Sequence, residues 1–421
     1  GKAMLVPPRA MAPGRVALAA WWLPSVVGLN NGVSLRPPMG YNTWNDLGCE
    51  ALSAASVMQA ADALIQQGLS DVGYEYIVID DCWASDRDPV TQLLVANPEA
   101  FPAGMPPVVE YIHGRGLKVG MYTDRGPKTC EGRPASEGFE WVDAATFAKW
   151  GADYLKEDSC FASTDHARAL QQYGIMRDAL LATGRPIHFA LCGWRPWYAS
   201  YGADLANSWR ISMDVNFWTG VWYAAVINSE LSQYTRPGAF NDPDMLLGST
   251  PGATRTLEPH QSRTQFSLWA IMAAPLILGA HLAELSAFDL ETYTNSEVIA
   301  VDQDELAIQG TILWEDCPAR SLAELETTIE STLPPPPECR QIWGKQLSDS
   351  SYAVIVINWA STMSSVKVDR ATMLKIGLDA GARVRDLWSH QELGVLSEPQ
   401  YDIEGFGGSR LFRFMAPHFA V

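Results

Sequence analysis

Two aspartates stand in settings that could do chemistry on a sugar. Asp158 closes the run Asp-Tyr-Leu-Lys-Glu-Asp within 153–160. If that run is a strand, alternation puts Lys156 and Asp158 on one face and Glu157 on the other. A lysine beside a carboxylate favours the ionised form, which suits a nucleophile; the plain alternative is a structural ion pair. Asp214 closes Ser-Trp-Arg-Ile-Ser-Met-Asp at 208–214, where Arg210, Ser212 and Asp214 share a face. Arg210 can donate two hydrogen bonds to sugar hydroxyls or hold a carboxylate, and Asp214 is then a candidate acid/base. Glycoside hydrolysis needs two carboxylates across the scissile bond, about 5–5.5 Å apart in retaining enzymes. A third acidic feature is the pair Asp80–Asp81, with Trp83 and Trp44 as nearby aromatics. Ionised carboxylates accept strongly from hydroxyls. Calcium binding is the alternative for this pair, but no D-x-D-x-D-G loop accompanies it.

The elements that must position these residues form a regular series. Strand-like runs recur at 39–44, 76–81, 117–124, 153–158, 187–192, 208–214, 239–245 and 275–281. Helical spacing fills several gaps, as in Ala51 to Gln67, Met105 to His113, Asp143 to Trp150 and Ala167 to Ala182. Strands alternating with helices predict a parallel sheet, and eight units predict a (β/α)8 TIM barrel over 36–310. Its active site belongs at the C-terminal strand ends. Asp80, Asp81, Asp124, Lys156, Asp158, Arg210, Asp214, Asp242 and Asp244 fall there. Strands four and six lie two apart around a narrow barrel, so their tips can meet over its axis. An open doubly wound sheet would want a G-x-G-x-x-G loop after strand one, which MGYNTWNDLG lacks. After Gly310 the pattern changes to strands joined by turns, as in SYAVIVINWA, SSVKVDR, ARVRDLW and SRLFRFMA. This predicts a C-terminal antiparallel β-sandwich over 311–421, with the proline run 334–337 in an extended loop.

Gross composition narrows the partners. The 421-residue chain carries a formal net charge of -18, which repels nucleic acid and anionic membranes and suits a neutral substrate. Its 16 tryptophans are core filling for the most part, with those near strand ends as candidate sugar platforms. In residues 1–35, Arg9 and Arg15 precede an apolar run from Val16 to Leu29, which reads as a signal peptide or a disordered N-terminus. The run is too short, and too interrupted by Pro24, to predict a membrane span. Seven cysteines allow three pairs and one remainder and favour an oxidising compartment. No N-x-[S/T] sequon is present.

The motifs RPPMGYNTWNDLGC, VIDDCW, VGMYTDRGPKTC, TFAKWGADYLKEDSC, NSWRISMD, FNDPDML, FSLWAIMAAPLILG and IAVDQDELAIQG then carry a resemblance. In order and spacing they are similar to the α-galactosidases and α-N-acetylgalactosaminidases of glycoside hydrolase family 27, from residue 36 to about 421. The resemblance implies a (β/α)8 barrel followed by a β-sandwich, retaining chemistry, an α-galactoside substrate, and no cofactor or metal. It implies that Asp158 is the nucleophile and Asp214 the acid/base. Asp80 and Asp81 match ligands of the galactose O4 and O6, Lys156 and Arg210 match hydroxyl ligands, and Trp44 matches the stacking aromatic. Cys192 and Trp194, at the end of strand five, join the substrate-binding set. The resemblance pairs Cys49 with Cys82 and Cys130 with Cys160; Cys317 and Cys339 are left to pair in the sandwich, and Cys192 stays free. A secreted or lysosome/vacuole-like location is the expectation, and a homodimer stays open.

Four positions depart from the family pattern. Gly193 stands where many members have a glutamate touching the sugar's 2-position, which predicts open space there and makes α-N-acetylgalactosaminidase the leading alternative. Glu157 replaces an aromatic and should need a polar partner. Ala280-His281 replaces Asn-Asp after strand eight, and Tyr41 replaces a tryptophan. The retained Asp80–Asp81 pair argues against members that prefer arabinopyranosides. Two readings from other classes compete. One is a non-catalytic galactose-binding protein, which loss of either catalytic aspartate would have favoured. The other is a metal-dependent hydrolase, for which the seven histidines neither cluster nor form H-x-H.

Overall fold

The computed structural model describes residue 29 and residues 31–327, 333–378 and 381–416. Most of the signal-peptide-like stretch lies outside these described residues. No helix among them is long and apolar enough to cross a membrane.

Eight short parallel strands build the first half: β1 Met39–Asn42, β2 Tyr76–Val78, β3 Lys118–Asp124, β4 Tyr154–Asp158, β5 His188–Leu191, β6 Ser208–Arg210, β7 Phe240–Asp242 and β8 Leu276–Leu278. They pair in sequential order, with β8 returning beside β1. Between β7 and β8 the seam is carried by one parallel bridge, Leu246 to Leu278. Each strand is shorter than its run; β3, β4 and β7 keep Asp124, Asp158 and Asp242 in the ladder, whereas β1, β2, β6 and β8 leave it before their polar ends turn into the rim loops.

The alternation expected of a barrel is visible in the packing. Tyr76, Val78, Tyr154 and Ala190 form a small cluster of their own inside the barrel. Their outward-facing neighbours Ile77, Ile79, Leu155, Phe189 and Leu191 belong to the large core shared with the helices. Those helices include α1 Trp44–Leu47, α2 Ala54–Gln66, α3 Pro106–His113, α4 Glu140–Trp150, α5 His166–Ala182, α6 Ala199–Leu205, α7 Trp218–Ser229 and α8 Pro259–Met272. Local chemistry sets their starts: Ser53 and Ser56 form a capping box at α2, Pro106 opens α3, and Asp165 caps α5.

The second half is a β-sandwich. Its strands are β9 Thr311–Glu315, β10 Arg340–Gln346, β11 Tyr352–Asn358, β12 Ser364–Lys367, β13 Ala382–Asp386, β14 Gln391–Leu396, β15 Gln400–Ile403 and β16 Gly408–Met415. Six of them form an antiparallel sheet in the order β9-β10-β11-β16-β13-β14, and β12 pairs with β15. The run SSVKVDR is strand only over Ser364–Lys367, because Asp369 caps a short helix, Arg370–Lys375. The sandwich packs on the barrel through aromatic contacts, with Trp359 against Trp218 (5.0 Å between ring centroids) and Trp222 (4.7 Å).

Candidate active site

One cleft opens at the C-terminal ends of the barrel strands. Its walls include Trp44, Asp80, Asp81, Lys156, Asp158, Trp194, Arg210 and Asp214. Strand alternation turns Lys156 and Asp158 inward together. On Asp158, one carboxyl oxygen accepts from the Tyr122 hydroxyl at 3.1 Å and the other from the backbone N–H of Ser159 at 2.9 Å. The Lys156 ammonium lies 3.9 Å from Asp158 and 2.8 Å from Asp80. Burial pushes Asp158 up to about 6; Lys156 pulls it down, while Asp214 and Asp80 raise it.

Asp214 sits in a different setting. Its side chain is 45% exposed and is held by the Arg210 guanidinium at 2.9 Å. Arg210 also reaches Asp244 at 3.0 Å, so one cation bridges two carboxylates. Burial is the largest single influence on Asp214 and acts to raise it, but Arg210, Lys156 and Arg255 together hold the carboxyl below the usual aspartate range. Asp244 has no such latitude: burial pushes it up to about 6, and it also accepts the backbone N–H of Val215 at 2.7 Å.

The Asp80–Asp81 pair is fixed by its neighbours. Asp80 accepts from Asn42 Nδ2 at 2.7 Å as well as from Lys156, and Asn42 Oδ1 accepts the backbone N–H of Trp44 at 2.8 Å. One asparagine thus ties the tips of β1 and β2 to the start of α1. Asp81 accepts the backbone N–H groups of Cys82 (2.6 Å) and Glu131 (3.0 Å). Three non-glycine rim residues, Cys82, Trp194 and Asp244, hold positive φ, a strained conformation that clusters at functional sites.

Several expected residues lie elsewhere. Trp83 is no sugar platform: it is core, packed edge-on to Phe147 and Trp150, with its indole N–H on the Tyr122 carbonyl at 2.8 Å. Asp124 ties the β3 and β4 tips together by accepting the N–H groups of Gly126 (2.7 Å) and Cys160 (2.6 Å). Asp242 and the free thiol Cys192 line the barrel interior beneath the cleft. Cysteines 49 and 82, 130 and 160, and 317 and 339 are joined in disulfides. Sequence reasoning missed Asn45, Tyr122, Asn216, Met245 and Arg255 in the cleft wall. The alternation that singled out Lys156 and Asp158 also turns Tyr122 inward. Arg255 carries no such signal: it comes from the irregular loop after β7 and is placed by donating to Asn45 Oδ1 at 2.8 Å.

The sequence family described as Alpha galactosidase A matches residues 36–304, and the Alpha galactosidase C-terminal beta sandwich domain matches residues 338–405. The chain belongs to the α-galactosidase family. A probable α-galactosidase of Dictyostelium discoideum is 36% identical over 387 residues, covering 90% of this chain and 92% of its own length. The α-galactosidase of Cyamopsis tetragonoloba is 38% identical over 376 residues, 87% of this chain and 83% of the relative. The crystal structure of α-galactosidase I from Mortierella vinacea superposes with a TM-score of 0.80 at 32% identity, covering 92% of this chain and 98% of that one.

Within this family the four departures resolve differently. Tyr41 and His281 both end on Asp46: the phenol donates to Oδ2 at 2.6 Å, and the His281 Nδ1 lies 2.6 Å from Oδ1. Leu282 N–H adds a third contact to Asp46 at 3.2 Å. Asp46 belongs to α1, the single turn that brings Trp44 and Asn45 to the cleft. Gly193, in contrast, packs against the core. A Cβ there would stand 2.0 Å from Cε2 of Tyr198, a buried ring packed on Tyr173, so this packing requires a glycine. Glu157 is fully buried on the outward face of β4, and neither of its carboxyl oxygens has a hydrogen-bond partner among the described residues. Burial first, then Asp124 and Glu140, push it well above the ordinary glutamate value.

Proposed function

We propose that this chain is a retaining, exo-acting α-galactosidase that removes terminal α-linked galactose from oligosaccharides, polysaccharides or glycoconjugates. In this reading Asp158 is the nucleophile and Asp214 the acid/base. One juxtaposition carries it: two aspartates from the tips of β4 and β6 line the same sugar-sized cleft, one beside Lys156 and Tyr122, the other on Arg210. Asp158 attacks the anomeric carbon while Asp214 protonates the glycosidic oxygen, and a β-linked galactosyl-enzyme forms. Asp214 then takes a proton from water, which attacks the same carbon and releases α-galactose. Trp44 offers an apolar face to the ring. Asp80, Asp81 and Lys156 converge where hydroxyl groups would lie, and each can hold one.

The two carboxyls also set a pH window. Asp158 is pushed up to about 6, whereas Asp214 is held below the ordinary aspartate value. Between those limits the pair holds one proton, and turnover proceeds through the form in which Asp214 carries it. Above about pH 6 that proton leaves and no general acid remains; at the acid end both carboxyls are protonated and no nucleophile remains. kcat/KM should therefore fall as pH rises past about 6.

Galactose is favoured over N-acetylgalactosamine by the likeness to α-galactosidases at 36–38% identity. The deciding experiment compares p-nitrophenyl α-galactoside with the α-N-acetylgalactosaminide and the β-L-arabinopyranoside. The α-galactoside should be turned over fastest, and Asp158→Asn should abolish all turnover while leaving the far-UV circular dichroism unchanged. A folded Asp158→Asn protein with near-normal activity ends the nucleophile assignment. Retained turnover in excess EDTA would eliminate metal-dependent hydrolysis. A secreted or lysosome/vacuole-like location is supported by the three disulfides, which persist in oxidising compartments.

A further inference from the structure

Asp214 stands where its own strand does not hold it. β6 ends at Arg210, and Asp214 lies beyond it in irregular chain. The last ladder contact on that side is the Ile211 N–H on the Asp242 carbonyl at 3.1 Å. Strand alternation therefore does not aim the Asp214 side chain, which is 45% exposed. A general acid must nevertheless be held within hydrogen-bond reach of one oxygen.

Asp244 supplies that aim from the neighbouring strand. It follows the end of β7 and is buried. One of its oxygens, Oδ2, accepts the Val215 backbone N–H at 2.7 Å and stands 3.0 Å from Arg210 Nη2. The same Nη2 lies 2.9 Å from Asp214 Oδ1. One atom thus grips both the main chain directly after Asp214 and the cation on its carboxyl. Asp244 is itself fixed from behind. Its N–H donates to Asp242 Oδ1 at 2.8 Å, and its carbonyl accepts the indole N–H of Trp269, a fully buried residue of α8, at 2.7 Å. Its φ of 89° is strained, and such strain persists where the surroundings over-determine it. Glycine would relieve the strain and leave Val215 and Arg210 without their acceptor.

We propose that Asp244 is the positioning residue of the acid/base, a reading that rests on Asp214 having that role. Its carboxylate holds Val215 and Arg210 so that Asp214 faces the cleft, and its charge divides Arg210 so that Asp214 can still take up a proton. The second effect follows from charge. An aspartate alone on a guanidinium forms a lasting ion pair and makes a poor general acid. Here Arg210 answers to two carboxylates. Arg210, Asp214 and Asp242 act on Asp244 in turn, while Arg210, Lys156 and Arg255 act on Asp214. Neutralising Asp244 leaves Arg210 to Asp214 and lowers the affinity of Asp214 for its proton.

The test is Asp244→Asn, which keeps an oxygen for the Val215 N–H and a side chain that accepts positive φ, but removes the charge. kcat/KM is compared for p-nitrophenyl α-galactoside, whose phenolate leaves with little help, and methyl α-galactoside, whose alkoxide needs the proton. The loss should be on the order of tenfold greater for the methyl glycoside. The basic limb of kcat/KM should move to lower pH by about half a unit or more, while inhibition by free galactose changes little. Asp244→Glu restores the charge and should return the limb toward its wild-type position. If the folded Asn variant loses both substrates equally and its limb stays in place, Asp244 is only structural and the inference fails, while the galactosidase reading stands. Should the Asn variant not fold, the Glu variant decides: its displaced oxygen should still cost the methyl glycoside more, and equal losses overturn the inference. If Asp214→Asn itself shows no such selectivity, the acid/base assignment fails and this inference with it. If wild-type protein releases galactose from neither substrate, the galactosidase reading fails as a whole.

Discussion

Tyr41 on β1 and His281 just after β8 lie far apart in the chain, yet both meet at Asp46; Glu157, on the outer face of β4, meets nothing. All three are departures from the family pattern, and the barrel treats them oppositely. Closure of the sheet brings the first and last strands side by side, so a change on one has the other within reach. Tyr41, Asp46 and His281 therefore satisfy one another beneath α1, the turn that carries Trp44 and Asn45. The outer face of β4 is packed by helices instead. Its nearest charged neighbours include Asp124, Glu140 and Asp143, all of which oppose ionisation of Glu157, against the single favourable pull of Arg125. A departure is absorbed where the fold supplies a complementary neighbour, and it is stored as a buried neutral acid where the fold does not.

The sharpest way to break this comparison is Asp46→Ala. It leaves a buried phenol and a histidine without their shared acceptor, and should lower unfolding stability by about 3 kcal/mol. Because α1 loses its anchor, KM for p-nitrophenyl α-galactoside should rise more than kcat falls. Chemical denaturation and steady-state kinetics on the same protein check both; a loss under ~1 kcal/mol with unchanged KM would mean that α1 is held by other contacts.

Glu157→Met should act with the opposite sign. Removing an unsatisfied buried carboxyl of similar volume is expected to stabilise by about 1–3 kcal/mol. The gain should depend on pH. The folded state holds the Glu157 proton to higher pH than the unfolded chain does, since its value is raised by burial. Wild-type stability from this group is thus full below the ordinary glutamate value and is lost as pH rises above it. Melting temperatures of the two proteins should lie closest at pH 4 and separate toward pH 7.5, with the variant higher. A variant that melts lower at every pH would show that the carboxyl has a partner.

The smallest effect is expected from Tyr41→Phe. It removes one donor from Asp46 while the Leu282 N–H and His281 remain, so the loss should be about 1 kcal/mol. A loss as large as that of Asp46→Ala, measured by the same denaturation, would place the whole anchor in the phenol.

Most of the architecture was legible because it follows from local rules. Period-two alternation and the recurrence of strand-like runs predict a barrel, and the polar residues ending those runs mark its working face. Alternation also separates Lys156 and Asp158 from Glu157 without any tertiary knowledge. Strand ends were less legible, since β2 stops at Val78 although its apolar run continues through Ile79. Other strands of the sandwich, such as β10 and β14, went unread because their residues are mixed and their pairing is nonlocal.

What the sequence by itself determined is the chemistry available: which carboxylates, which cation beside each, and which face of a strand carries them. Tertiary structure alone decided the surroundings of those groups. Arg255 reaches the cleft only because its loop docks on Asn45, and Gly193 is required only because the Tyr198 ring packs against it. The division has a physical reason. Side-chain direction along a strand is a property of the local backbone, whereas solvation, hydrogen-bond partners and free volume depend on residues that only closure of the barrel brings together.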